Sequence, residues 1–193
     1  LASVFFSYGG RQVYAGACTG AVGVYNCSGV SNPVTDTTQT ISGAATAVNV
    51  TTSAGFGIDS SSNSINGAIN VENGNFGITV VDNNASTITG TGFGIQADNA
   101  GTGNISITSN GQVNGVGAGT AYNPAGIVAT NTAVGGNIQI TANGVSGANN
   151  GIYASGSGDI DITTNGTVTG NGNGIASFPS GGNYSNTIIV NGS

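Results

Sequence analysis

NISITSNG at 104–111, NIQITANG at 137–144 and DIDITTNG at 159–166 are three copies of one motif. In each copy two isoleucines alternate with polar residues: Ile105 and Ile107, Ile138 and Ile140, Ile160 and Ile162. A period of two puts each isoleucine pair on one face of a β-strand and the polar residues on the other. Every copy ends in Asn-Gly, which accepts the positive φ that a tight corner requires. Asn-Gly recurs throughout the chain. AINVENG at 68–74 and TIIVNG at 187–192 read as degenerate copies. A shorter element follows, QVNG at 112–115, VSG at 145–147 and TVTG at 167–170, with TITG at 87–90 and TISG at 40–43 of the same type.

A Gly-Ile pair recurs ahead of these segments, at Gly57, Gly77, Gly94, Gly126, Gly151 and Gly174. Its spacing is uneven, tightest between Gly77 and Gly94 and widest between Gly94 and Gly126. Each repeat therefore carries three short strands separated by turns. A strand triplet every ~17–25 residues is the period of one coil of a parallel β-helix. One such coil cannot bury its apolar face alone, so the expected fold is all-β, a β-solenoid of stacked coils. The residue before Gly-Ile has the parity of the isoleucine. Phe56, Phe76 and Phe93 are therefore expected to stack inside, and Asn150 and Asn173 to form an amide ladder or stand as exposed turn residues. Two stretches that break the period, GVGAGTAYNPAG at 115–126 and FPSGGNYSN at 178–186, are expected to protrude as loops carrying Tyr122 and Tyr184.

Composition narrows the function. Of 193 residues, 36 are Gly, and Gly, Asn, Thr and Ser exceed half of the chain. Charged residues are 4%, with Arg11 the single base, seven acids and no His, Met or Trp. One Arg makes no basic patch, so no nucleic-acid partner is expected. No apolar run nears the ~20 residues of a membrane helix, so no membrane insertion by this segment is expected. Without His or Lys, most nucleophile–base pairs and imidazole metal sites cannot be built. Neither a cofactor nor a resident metal is expected.

Cys18 and Cys27 lie in CTGAVGVYNC, with nothing nearby to complete a metal site. A disulfide closing this loop is the expectation, two free thiols the alternative. The bridge would imply an oxidising compartment. The first residue is Leu, which points to an upstream segment removed. Residues 1–45 fit the repeat less well and are expected to form an N-terminal cap, with 46–193 as the β-helix repeats. The cap holds the apolar run Val4, Phe5, Phe6 and Tyr8, together with Tyr14. TIIVNGS is expected to stop in the middle of a coil, with no bulky or polar cap.

CTGAVGVYNCSG, then TTQTISG, then the Gly-Ile/NIxIT/xVxG repeats resemble the passenger domains of bacterial autotransporters over nearly the whole chain. The resemblance implies a right-handed parallel β-helix outside a Gram-negative cell, acting as an adhesin or self-associating factor. The family's membrane barrel is missing from this chain, and so is any protease motif such as GDSG.

Asp159 and Asp161 share the outward face of a strand at ~7 Å, a spacing open to acid–base or calcium chemistry. A solvated strand face is the plainer reading. Asp36, Asp59, Asp82 and Asp98 read as solubilising turn charges. Polysaccharide lyases also use β-helices, but they need a basic residue in a groove, and only Arg11 is available. Thr108, Thr141 and Thr163 are expected to stack outward beside Ser106, Gln139 and Asp161, a column too irregular for an ice-binding array. Tyr122 and Tyr184 are candidate partner-binding loop residues.

The functional expectation is a non-catalytic, secreted or surface-exposed structural and adhesive solenoid. Its expected partners are itself, through Val4, Phe5, Phe6 and Tyr8 at one end and Ile188, Ile189 and Val190 at the other, and host or bacterial surface glycans or proteins. The alternative is a monomeric passenger fragment acting as an adhesin, with a polysaccharide-active enzyme a distant third.

Overall fold

Ile105 and Ile107 lie in register with Ile138 and Ile140, and these with Ile160 and Ile162, on parallel strands. The structure, a computed structural model, describes residues 15–43, 45–62, 67–117, 124–180, 182 and 184–191. No helix occurs among them.

The described residues open with an antiparallel hairpin, β1 (Ala17–Ala21) and β2 (Val24–Ser28). About six turns of a β-solenoid follow. The first holds β3 (Gln39–Gly43), β4 (Val48–Thr52) and β5 (Gly57–Asp59). The second holds β6 (Gly67–Asn73), β7 (Ile78–Asp82) and β8 (Thr87–Gly90). In the third and fourth, the last two segments run together: β9 (Phe93–Asn99) with β10 (Ile105–Gly115), and β11 (Ala125–Val134) with β12 (Ile138–Gly147). The fifth separates them again, as β13 (Asn150–Ser157), β14 (Ile160–Thr164) and β15 (Val168–Gly170). The sixth contains β16 (Asn173–Pro179) and β17 (Asn186–Val190). First segments stack as a six-stranded parallel sheet, β3-β6-β9-β11-β13-β16. The hairpin and the remaining segments share an eleven-stranded sheet, bent where the ladder shifts between Ser109 and Gln112.

Burial follows the pleat. Along β10 the inward residues are buried, and every residue between them is partly or fully exposed. Ile58, Ile69, Ile95, Ile127 and Ile152 are completely buried. Each such side chain contributes about 1.5–3 kcal/mol on leaving water. Stacking alone makes this burial possible, because neighbouring rungs cover one another's faces.

The register corrects the expected phase and coil length. Ile69, Ile95, Ile127, Ile152 and Ile175 align, so each turn runs from one of these isoleucines to the next. The turns from Ile69 to Ile95 and from Ile95 to Ile127 are longer than the expected period, and the two that follow fall within it. Gly57-Ile58 belongs to a third segment, opposite Thr87-Ile88, and Ile78 opens a second segment, opposite Ile105. AINVENG and TISG lie on the first face, not the second and third. TITG, TVTG, VSG and TIIVNG fall where the motif places them.

The phenylalanine stack does not form, because its three members precede different segments. Phe56 joins the main core. Phe76 is 45% exposed. Phe93 packs in a separate small cluster with Ala125, Val128 and Tyr153. In the aligned Gly-Ile pairs the glycine, not the preceding residue, faces the core. A Cβ on Gly94, Gly126 or Gly151 would fall 2.4, 2.3 or 2.5 Å from Cγ1 of Val113, Val145 or Val168. The glycine makes room for the valine of xVxG.

The glycine that closes xVxG has a second role. Gly90, Gly115, Gly147 and Gly170 form one column. A Cβ on any of them would lie 1.7–2.3 Å from the carbonyl oxygen of the residue opening the next turn: Phe93, Ala125, Asn150 or Asn173. Real Cβ atoms do not approach so closely. The chain crosses from one turn to the next through a gap that only hydrogen fits.

Other corners are held by polar side chains that sequence reading took for surface groups. Asp36 and Asp82 are completely buried. The Asp36 carboxylate accepts from the backbone N–H of Gly16 at 2.9 Å and of Asn32 and Asp59 at 2.8 Å. It ties the hairpin to the first turn. Asp82 accepts from Thr52 Oγ1, Ser86 Oγ and the N–H groups of Asn84 and Ser86. Both are corrections to the expected solubilising role. A corner leaves backbone donors without ladder partners, and a buried carboxylate supplies the missing acceptors.

Asn73, Asn99 and Asn131 stack at the end of the first face and are almost fully buried. Asn73 Nδ2 donates to Thr46 O at 3.0 Å, and Asn131 Nδ2 to Gly103 O at 2.8 Å. At the opposite end of that face, Asn150 and Asn173 combine the two readings: Asn173 is exposed, and its Nδ2 donates to the Oδ1 of the buried Asn150 at 3.0 Å. Cys18 and Cys27 face each other across the hairpin and are joined by a disulfide, with Cα atoms 3.9 Å apart.

Candidate functional site

The solenoid presents two kinds of exposed surface, its ends and its sides. At the C-terminal end, β17 pairs with β14. No second strand neighbours it among the described residues. Ile188 ends an inward column that runs through Val50, Val80, Ile107, Ile140 and Ile162. The earlier members are at most 1% exposed, whereas Ile188 is 45% exposed, with Ile189 at 47% and Val190 at 60%. Val4, Phe5, Phe6, Tyr8 and Tyr122 lie outside the described residues. Tyr184 is described and half-buried, its ring packed 3.5 Å from where a Cβ on Gly182 would stand.

On the side of the predicted carboxylate pair, Asp161 lines a cleft with Asn104, Ser106, Asn137 and Gln139. Asp159 Oδ1 accepts from the N–H of Ser185 at 2.8 Å, so this carboxylate holds the last turn in place. Asp161 is exposed and stands in line with Gln139 and Thr187. Thr108, Thr141 and Thr163 stack as the motif implies, between Val81 and Ile189.

The carboxylates that the fold does bring together are Glu72 and Asp98, directly opposed on β6 and β9. Ser42, Asn73, Gly74 and Ala100 complete a shallow cleft around them. Sequence reading missed the pair because the two acids lie a full turn apart in the chain and align only once the register is known. Burial raises the Asp98 pKa above its ordinary 3.8; hydrogen bonds from Gln96 and Thr130 oppose this, and the Glu72 charge adds to it. A carboxyl raised in the fold lends stability below its unfolded pKa and loses it as pH rises through the folded value. Asp98→Asn is therefore expected to raise the melting temperature at pH 7 and to leave it unchanged near pH 3. Thermal melts followed by circular dichroism at both pH values read this directly. No group of three or more metal-ligating side chains forms among the described residues.

A second cleft opens on the same sheet, beyond the acidic pair. It is lined by Asn149, Asn150, Tyr153, Asn173, Ala176 and Phe178 and encloses about 220 Å³. Tyr153 and Phe178 meet with ring centroids 5.6 Å apart and planes tilted by 44°. They are diagonal neighbours, because Tyr153 pairs with Ala176 and Ser155 with Phe178. The small Ala176 leaves the space beside the rings open. Phe178 is 52% exposed, although the other members of its outward column are Ser42, Glu72, Asp98, Thr130 and Ser155. Nothing in the repeat predicted this cleft: Tyr153 and Phe178 belong to different turns and meet only through the stacking of β13 on β16.

No family model matches the chain, and neither a curated protein nor a solved structure matches it.

Proposed function

We propose that this chain is a non-catalytic structural and adhesive solenoid of the extracellular space, which associates with copies of itself end to end. One observation carries the reading: the inward column ends on a half-exposed Ile188, on a strand whose outer edge has no partner among the described residues. An unpaired parallel edge with an apolar face is a template for another strand. A strand from a second copy, in register with β17, would extend both the hydrogen-bond ladder and the column. The apolar run LASVFF at the N-terminus has the composition of such a strand. Contact between two different surfaces propagates into a filament rather than closing. The Cys18–Cys27 disulfide is compatible with an oxidising location.

Negative-stain microscopy tests this. Filaments are expected from the full chain. Monomeric short rods are expected from a version lacking residues 1–8 and from Ile188→Lys, which would bury a charge at the joint. Short rods from the full chain would overturn end-to-end association. A second reading, a monomeric adhesin resembling an autotransporter passenger, is favoured by the aromatic and amide cleft on the solenoid's side.

A further inference from the structure

We infer that the cleft formed by Tyr153, Phe178 and the amides of Asn149, Asn150 and Asn173 is a binding site for a neutral oligosaccharide. The inference rests on the adhesive part of the proposed function and names the ligand class. Three features select it. The first is a ring left in water: Phe178 is half-exposed at a position where every other turn carries a polar or acidic side chain. A contiguous exposed apolar surface rimmed by polar groups is characteristic of a binding site. Here Tyr153 adjoins the ring, and Phe93, Ala125 and Val128 pack beneath the tyrosine. The second is the rim. Each asparagine amide offers two donors and an acceptor with two lone pairs. Asn173 is exposed and Asn149 partly so, whereas Asn150 is 2% exposed and its Oδ1 accepts from Asn173 Nδ2, which fixes the exposed amide at the cleft edge. The third is charge: no ionisable group other than the Tyr153 hydroxyl lines the cleft.

A ligand that fits all three has a flat apolar face for the rings, hydroxyls that both donate and accept, and no net charge. A pyranose presents its C–H face to an aromatic ring and its hydroxyls to amides. Successive sugars would lie along the side of the sheet, over β13 and the edge strand β16. A phosphate or a uronic acid would find no cation among the lining residues. An acidic ligand would also meet Glu72 and Asp98 farther along the same sheet.

Saturation-transfer difference NMR on the full chain tests this, because it reads ligand protons whether the protein is monomeric or filamentous. The probes are maltotetraose, cellotetraose, chitotetraose and a galactose tetramer, each to about 10 mM, with tetragalacturonate as the charged comparison. At least one neutral probe is expected to receive saturation at its ring C–H protons. Phe178→Ala is expected to weaken binding at least tenfold, Asn149→Ala severalfold, and Gln139→Ala, on the other sheet, not at all. Circular dichroism checks that the variants keep the fold, and Asn149→Ala carries the test if Phe178→Ala does not. No transfer to any neutral probe, preference for tetragalacturonate, or binding insensitive to whichever of the two variants folds would overturn the inference. Filaments without sugar binding would sink the cleft alone. Sugar binding by monomers would sink end-to-end association alone.

Discussion

Asp36→Ala is expected to destabilise the fold by about 3–5 kcal/mol, because it removes a buried acceptor shared by three backbone N–H groups. Gly16 belongs to the approach to the hairpin, Asn32 to the loop that carries Asp36, and Asp59 to the end of β5. One side chain thus joins three segments that otherwise meet only through their edges. Each orphaned donor costs about 1–3 kcal/mol when water cannot replace the carboxylate, and Asp36 is completely buried. Asp36→Asn keeps one carbonyl oxygen and is expected to lose less. Urea unfolding measures both. A loss below about 1 kcal/mol for the alanine variant would show that water satisfies these donors.

Gly147→Ala is expected to cost at least about 3 kcal/mol, near or above the upper end for an overpacked side chain. The added Cβ would lie 1.7 Å from the carbonyl oxygen of Asn150 and 2.8 Å from Cα of Ala125. Both are backbone atoms, one at the start of the next turn and one at the start of Gly147's own, so no rotamer change relieves the clash. Separating the turns would break the ladder that β12 makes with β10 and β15. Gly74→Ala provides the control: nothing lies within 4 Å of its Cβ position, and a change within about 0.5 kcal/mol is expected. Urea midpoints compared at constant m separate lost stability from altered compactness.

These expectations depend on features that the sequence displayed unevenly. The NIxIT copies were legible because their isoleucines repeat at strand period, and the three copies stack residue for residue. Asn150 and Asn173 were legible because each directly precedes a Gly-Ile pair. The phase of the first two turns was not. Gly-Ile marks a corner that needs a small residue, and corners occur at every segment, so Gly57 and Gly77 mimicked a first-face signal. The Asn73, Asn99 and Asn131 column was hidden because the turns that separate its members differ in length. Asp36 and Asp82 resembled any turn carboxylate, since burial is decided by what packs over the corner. Glu72 with Asp98, and Tyr153 with Phe178, are products of register alone.

The stacking of turns also governs how the molecule bears load. Rungs are joined by parallel ladders, and each touches chiefly the rung before and the rung after. Tension applied to the chain at the outer end of β17 would open one ladder at a time rather than shear the whole sheet. Each detached turn would release roughly 80–110 Å of extended chain. The protein would then lengthen in steps, dissipating work with every rung while the remaining turns stay folded. At the other end, the buried Asp36 clamp ties the first turn to the hairpin, and the Cys18–Cys27 crosslink keeps the hairpin itself from opening.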